Sequence, residues 1–322
     1  MRSIIRSATI LAAILIFAPK GHSQSPGTVL VAYVQMSVER GDLASASALV
    51  DQFRKQAGNT PEALEALSWI ARGELSAGHL DEASKKAEEV KRLCETALVN
   101  RKLDDEPHLP LALGAAYEVQ AQALNENHQR TEAVRLLQSA VGKWRGTSIV
   151  ARLQKNVNVL TLEGKPMPFL RASEWIGAKP VSSRLRGKVV LLFFWAHWCA
   201  DCKAEAPILK QLSTEFQRKG LVMIGPTKLY GYTAQDEHAN AAEERAFIEK
   251  VYARFYSGIP NLQVPVGEMN FDRFGASTTP TIVLADRRGI VKLYHPGLMD
   301  EASLRAAIEP LVNEENSVRA AR

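Results

Sequence analysis

The chain has 322 residues, of which 46% are hydrophobic and 23% are charged. This length suits about two ordinary domains and this balance is typical of globular proteins, so a disordered chain, a collagen-like fibre and a disulfide-dense miniprotein are excluded. The 40 basic residues exceed the 35 acidic ones only slightly. Because nucleic-acid binding needs basic residues clustered on one face, and no basic run beyond the leader is longer than a pair, we predict no nucleic-acid partner.

Residues 1–24 have the features of a secretory signal peptide. Arg2 and Arg6 precede a largely apolar run over 8–18, and small and polar residues follow it. The run covers only about half of the roughly 30 Å hydrocarbon core, which disfavours the alternative of an uncleaved anchor. We therefore expect a periplasmic or otherwise extracytoplasmic protein that is soluble after cleavage.

The first half of the mature chain, residues 25–150, is predicted to be entirely helical. Apolar and small residues recur at helical spacing, and caps or breakers such as Thr60-Pro61 separate the segments. Three predicted turns, at 39–46, 76–83 and 126–133, each lead into an alanine at which two helices would approach closely. This pattern resembles tetratricopeptide (TPR) repeats, although the alanines are not evenly spaced. The resemblance implies a peptide or protein partner, and a helical packing domain without a ligand remains the alternative.

The second half alternates between strand and helix patterns. A linker is expected over 151–164, where the helical periodicity breaks near Gly164-Lys165-Pro166. The domain over 165–322 is predicted to be α/β, with a mixed central sheet flanked by helices. The predicted strands are 189–195, 221–224, 281–284 and 290–294, and the predicted helices are 202–219, 241–255 and 301–311.

The chain contains three cysteines, Cys94, Cys199 and Cys202. Cys199 and Cys202 form a Cys-x-x-Cys pair that opens a predicted helix after a buried strand, where the helix N-terminus stabilises a thiolate. Cys199 is therefore the expected nucleophile and Cys202 the thiol that resolves the mixed disulfide. A haem site would need His at Lys203, and no further zinc ligands follow, so we predict no cofactor and no metal. Cys94 belongs to an apolar helix face and is expected to be a buried, inert thiol.

The segment from Gly187 to Pro207, with its Trp-Cys-x-x-Cys core, resembles the active site of the thioredoxin-like TlpA/ResA family of bacterial extracytoplasmic thiol-disulfide oxidoreductases. The similarity continues through Thr279-Pro280-Thr281 and covers about half of the chain, residues 162–313. It implies a thioredoxin-like fold and a redox-active Cys199–Cys202 disulfide. It also implies that Pro280 is a cis-proline and that the backbone of Thr279 pairs with the substrate chain.

The same resemblance assigns a proton-transfer role to Glu205, for which an exposed surface carboxylate is the alternative. The position at which relatives have Asp or Asn holds Phe193, which cannot carry a proton. Trp198 is a candidate apolar platform for substrate. His197, which departs from the family pattern, is predicted to be exposed, or else to stabilise the Cys199 thiolate when protonated.

These residues predict an enzyme, a thiol-disulfide oxidoreductase acting on protein thiols and disulfides. Asp201 between the cysteines disfavours the thiolate and favours a reductant, which would need an upstream electron donor such as a membrane thiol reductase. Two alternatives remain open. One is a TPR-type binding module with an accessory thioredoxin-like domain, and the other is a peroxiredoxin-like antioxidant enzyme, whose pattern would need Pro and Thr at Leu192 and Ala196.

Overall fold

The computed structural model describes residues 25–177, 185–234 and 237–320, with side chains as far as residue 314. The predicted signal peptide over 1–24 lies outside the described residues. Within them the chain forms a helical half followed by an α/β half. This confirms the predicted fold class.

The helical half contains three helix pairs and one further helix. The helices are α1 (Pro26–Glu39), α2 (Leu43–Ala57), α3 (Pro61–Ser76), α4 (Leu80–Ala97), α5 (His108–Glu126), α6 (Arg130–Lys143) and α7 (Val150–Thr161). Helix α3 begins at the predicted cap, because the Thr60 hydroxyl accepts a hydrogen bond from the Ala63 amide and Pro61 occupies the first helical position. Consecutive first helices also pack side by side, α1 against α3 and α3 against α5. The pairs therefore stack in chain order.

The three predicted turns share one backbone geometry. Gly41, Gly78 and His128 have φ values of 77°, 79° and 61°, and each amide donates to the carbonyl three residues earlier. The alanines that follow, Ala46, Ala83 and Ala133, are fully buried in the second helix of each pair. The helical-hairpin prediction is confirmed, whereas the assignment to the TPR family stays a prediction.

The α/β half is built on a six-stranded sheet. Its strands are β1 (Glu174–Gly177), β2 (Val189–Phe194), β3 (Leu221–Ile224), β4 (Gln263–Val266), β5 (Thr281–Ala285) and β6 (Val291–Pro296). The spatial order is β1-β4-β3-β2-β5-β6, with β3 parallel to β2 and to β4 and the other pairs antiparallel. Strand β2, predicted as buried on both faces, lies at the centre, and all six of its residues are buried. The cysteine loop that follows β2 therefore starts from a central, fully buried strand of the sheet.

Helices cover both faces of this sheet. They are α8 (Ala200–Phe216), α9 (Ala241–Phe255), α10 (Glu268–Phe274) and α11 (Glu301–Ala320). Alternate residues of β2 enter two cores: Leu191 and Phe193 meet side chains of α8, α9 and α11, whereas Leu192 and Phe194 meet those of α10. None of the helices within the described ranges is long and apolar enough to cross a membrane.

The linker predicted over 151–164 is wrong. Helix α7 occupies most of it and packs against α5 and α6 on one side and against α10 and β6 on the other. Asn156 and Asn158 are buried despite their polarity, and this polarity conceals the helical pattern in the sequence. The two halves of the molecule are thus joined by a shared helix.

Candidate active site

The cysteine pair lies where β2 gives way to α8. Cys199 is the N-cap residue of α8, and its sulfur lies 3.0 Å from the backbone nitrogen of Cys202. The two sulfurs are joined in a disulfide of 2.03 Å, and Cys199 and Cys202 are only 3% and 0% exposed. When the bond is reduced, the N–H groups and partial positive charge of the helix N-terminus stabilise a thiolate at Cys199. The structure therefore brings the two predicted redox residues together in the geometry that exchange needs.

The segment that precedes β5, the strand paired with β2, lies beside Cys199. The Thr279–Pro280 peptide bond is cis and precedes β5, and the Thr279 carbonyl oxygen lies 3.5 Å from the Cys199 sulfur. The Thr281 hydroxyl donates to the Thr278 carbonyl, and the Gly297 amide donates to the Pro280 carbonyl. These bonds hold the 277–280 segment, which we name the cis-proline loop, beside Cys199.

Glu205 lies one helical turn beyond Cys202, and its side chain is completely buried. One carboxylate oxygen accepts a hydrogen bond from the Met299 amide at 3.1 Å, and the other has no partner among the described residues. Burial raises the pKa of Glu205 to about 7 and the charge of Asp201 adds to the shift, while the Met299 hydrogen bond opposes it. The alternative of a surface carboxylate is wrong, and Glu205 is an acid that changes protonation near neutral pH.

His197 is buried, not exposed as predicted. Its Nε2 lies 3.1 Å from a carboxylate oxygen of Glu244, and its ring meets the edges or faces of Tyr230, Tyr232 and Phe247. Burial lowers the pKa of His197 even though Glu244 opposes that shift, so the imidazole is neutral at pH 7. A neutral ring cannot stabilise a thiolate by charge, and this alternative is also not supported.

Glu244 lies near the site but was not identified from the sequence. Its carboxylate accepts hydrogen bonds from the amides of Tyr230 and Gly231 at 2.6 and 2.7 Å, besides the bond from His197. It thereby connects the loop that follows β3 to His197, two positions before Cys199. The aromatic group Tyr230-Gly231-Tyr232 was the only local signal, because Glu244 itself stands within an ordinary predicted helix.

Trp198 presents an apolar surface beside the cysteines. Its side chain is 48% exposed, its ring centroid lies 5.6 Å from that of Tyr230, and it borders a cavity of about 790 Å³ with Lys203 and Phe247. Trp195, in contrast, is fully buried and donates to the Gly225 carbonyl. Trp198 is thus available to a substrate, and Trp195 belongs to the core.

The third cysteine, Cys94, lies far from the redox pair in the sequence. Cys94 is fully buried in α4, and burial raises the pKa of its thiol to about 12, so it is the inert thiol that was predicted.

Phe193 is buried and packs against Tyr256 with ring centroids 6.1 Å apart. No titratable group therefore occupies the Phe193 position, and Glu205 is the buried carboxyl one turn from Cys202. Across the described ranges no group of three or more His, Cys, Asp and Glu side chains could hold a metal ion.

A cysteine pair at the start of a helix, beneath a cis-proline loop and on a central mixed sheet, defines a thioredoxin-like redox domain. Comparison with known proteins agrees with this description. Residues 164–252 match the model of the AhpC/TSA family. The chain is 25% identical to the thiol-disulfide oxidoreductase ResA of Geobacillus thermodenitrificans over 148 residues, which are 46% of this chain and 77% of that protein.

Two further relatives carry related names. The thiol:disulfide interchange protein DsbE of Pseudomonas fluorescens is 28% identical over 47% of this chain and 78% of its own length. The thioredoxin-like protein YneN of Bacillus subtilis is 26% identical over 46% of this chain and 79% of its own length. Over its α/β half the chain is thus similar to thiol-disulfide oxidoreductases of the ResA and DsbE kinds, and its thioredoxin-like domain follows an N-terminal helical half.

Proposed function

We propose that the protein is an extracytoplasmic reductant of protein disulfides, in which the helical half binds the client. The observation that carries the proposal is the position of the Cys199 sulfur, at the N-cap of α8 and 3.5 Å from the Thr279 carbonyl oxygen. The predicted signal peptide supports the extracytoplasmic location. The peroxiredoxin alternative is disfavoured because Leu192 and Ala196, which stand where its pattern needs Pro and Thr, are buried core residues.

The reaction begins with the reduced cysteine pair. The Cys199 thiolate attacks one sulfur of the client disulfide, and the other client sulfur leaves as a thiolate that takes a proton. The Cys202 thiolate then attacks the Cys199 sulfur, which closes the Cys199–Cys202 disulfide and releases the second client sulfur. Two electrons pass from the dithiol to the client. An upstream thiol reductant must restore the dithiol after each cycle.

The surrounding residues take three roles in this scheme. Glu205 accepts the proton of the Cys202 thiol, because a buried carboxyl whose pKa is about 7 exchanges protons at neutral pH. Thr279 and Pro280 offer backbone groups to the client chain beside Cys199, and Trp198 supplies apolar contact. Asp201, in the first turn of α8, disfavours the thiolate and favours a reductant, while Lys203 partly offsets this charge.

Trapping of the mixed disulfide tests the proposal. The variant Cys202→Ser, reduced and mixed with insulin as a disulfide-containing protein, should accumulate a covalent adduct at Cys199 that mass spectrometry detects and dithiothreitol releases. The variant Cys199→Ser should form no adduct, and Cys94→Ser should reduce insulin at the wild-type rate. An adduct on Cys199→Ser, or none on Cys202→Ser, would contradict the assignment of the nucleophile.

A further inference from the structure

Two cavities on the helical half lie along one path that ends at the cis-proline loop. The first, of about 430 Å³, is bordered by Leu111 at the start of α5, by Ser148 and Arg152 around the start of α7, and by Ser277 and Thr278 of the cis-proline loop. The client chain that contacts Thr279 would therefore enter this cavity one residue away from the redox site. Ser148, Ser277 and Thr278 are exposed there, and 46% of Leu111 is exposed.

The second cavity, of about 550 Å³, lies between the first helix pair and α3. Trp69 and Arg72 line it, and the Arg72 guanidinium carbon lies 4.4 Å from the centre of the Trp69 ring. Burial lowers the pKa of Arg72 and the charge of Arg152 lowers it further, so the two guanidinium groups are near enough to interact. Because α3 packs against α5 and α5 packs against α7, the two cavities are neighbours across adjacent helices.

Arg72 differs from the other cations of this region because it forms no hydrogen bond or ion pair with any described residue. Arg152 and Lys155 both bind the carboxylate of Glu118, the lysine at 2.6 Å. Arg72 contacts the Trp69 ring, and burial, followed by the charge of Arg152, lowers its pKa to about 10, while the charges of Glu118 and Glu65 oppose that shift. Because no carboxylate among the described residues accepts a hydrogen bond from Arg72, its guanidinium donors are available to an anionic group.

The charges along the path favour the same ligand. Glu118 faces three cations: Arg152 and Lys155 bind its carboxylate, and Arg72 lies near it. Glu39 lies at the far border of the Trp69 cavity, where its carboxylate accepts a hydrogen bond from the Gln35 side chain. Glu65 also interacts with Arg72 through its charge, so what distinguishes the path is that the Arg72 guanidinium has no hydrogen-bonded carboxylate among the described residues, with apolar contact from Trp69 and Leu111 at either end. We infer that it binds an acidic segment of the client polypeptide that flanks the client's reactive cysteine. This inference rests on the proposed function, and it adds the chemistry by which a client is selected.

The test compares two synthetic peptides, each carrying a cysteine in mixed disulfide with glutathione and one flanking tail. The tail contains Asp and Glu in the first peptide and Asn and Gln in the second. With the full-length protein in dithiothreitol, kcat/KM for the acidic peptide should exceed that for the amide peptide about tenfold, the effect of one charge-assisted hydrogen bond. This ratio should fall as the salt concentration rises, because the contact is partly exposed.

Arg72→Met is the informative variant. It keeps the apolar stem over Trp69, and it leaves no carboxylate unpaired, because Arg72 binds none in the described part of the chain. The ratio of the two kcat/KM values should fall to within about twofold of unity. Arg135→Met, which removes an exposed arginine from α6, is the matched control and should keep the wild-type ratio.

Thr278→Glu gives an independent reading if Arg72→Met fails to fold. It adds a negative charge at the entrance of the path and should lower the ratio as well. Equal kcat/KM values for the two peptides in the wild type, or a ratio that survives in Arg72→Met, would overturn the inference. Failure to reduce either peptide would instead overturn the proposed function, so the two failures are distinguishable.

Discussion

At the scale of single residues, Glu205 is the group whose environment differs most from what its residue type suggests. A carboxyl next to a redox pair was expected from the sequence, but its complete burial was not visible there. Burial costs the charged form, so the folded protein holds a proton on Glu205 up to a pH of about 7. The stability of the protein and the rate of exchange should both depend on this proton.

The dependence of stability on pH has a definite sign. The pKa of Glu205 is raised on folding, so the folded state binds more protons than the unfolded state between pH 4.5 and about 7. Glu205 therefore makes its full contribution to the free energy of unfolding below pH 4.5. This contribution, about 2–3 kcal/mol, is lost as the pH rises through 7. Urea unfolding of the oxidised protein at pH 5 and pH 8 should show this loss, and Glu205→Gln should remove it. An equal pH dependence in the variant would show that Glu205 is charged throughout.

His128 marks a local conflict between residue type and backbone. It occupies the turn position that glycine holds in the other two hairpins, with φ of 61°, a region that costs an L-residue about 1–2 kcal/mol. His128→Gly should therefore raise the free energy of unfolding by about 0.5–1 kcal/mol, as measured in urea. Gly41→Ala, at φ of 77° with open space around it, is the control and should lower stability by a similar amount. A loss of stability in His128→Gly would mean that the imidazole makes contacts that outweigh the backbone.

At the scale of elements, the sequence predicted the strongly apolar or periodic segments, including the four-residue strand β3, and missed several others. Helix α9 has the predicted bounds and β2 ends one residue early, because their apolar patterns are strong. The four-residue strands β1 and β4 and the seven-residue helix α10 escaped prediction. Segments this short contain too few periods for a pattern, and their structure comes from the neighbours against which they pack.

The buried His197–Glu244 pair shows the same limit for the site. The two residues are 47 positions apart, so nothing local in the sequence indicates that Glu244 holds the His197 ring. The pair connects α9, the Tyr230–Gly231 loop and the segment before Cys199. The arrangement of these three parts of the chain therefore depends on a contact between residues that are distant in the sequence and meet only in the folded protein.

Removal of the Glu244 carboxylate should loosen this part of the active site. Glu244→Ala leaves the Tyr230 and Gly231 amides and the His197 ring without their acceptor, at a cost on the order of 3 kcal/mol in the free energy of unfolding. The rate at which reduced Cys199 reacts with a thiol reagent should also change. Glu249→Ala, which removes an exposed carboxylate of the same helix, should change neither quantity measurably. A normal stability of Glu244→Ala would contradict the role given to the pair.

At the scale of the whole molecule, α7 makes the two halves mechanically dependent on each other. The backbone of α7 at Lys155 approaches Gly275 so closely that a Cβ atom there would overlap it. Gly275 follows α10 and lies two residues before the cis-proline loop. Deletion of residues 26–150 would therefore remove the helices on which α7 packs and would disturb the redox half together with any client binding.

Gly275→Ala tests this dependence. The added methyl group must displace α7, so the variant should be destabilised by at least about 2 kcal/mol. In the wild type, unfolding followed by tryptophan fluorescence and by circular dichroism should give one transition, because both halves share α7. The variant should separate into two transitions. Two transitions already in the wild type, with no change in the variant, would show that α7 does not couple the halves.

The central claim is that Cys199 and Cys202 form a reversible redox couple that serves as a reductant. The most direct measurement is the reduction potential of this couple, obtained by equilibrating the Cys94→Ser protein with dithiothreitol or glutathione buffers and following tryptophan fluorescence, to which Trp198 beside the disulfide contributes. We expect a single two-electron transition close to the value of thioredoxin, about −270 mV. A potential near −120 mV would contradict the reductant assignment, and the absence of any reversible transition would contradict the redox function itself.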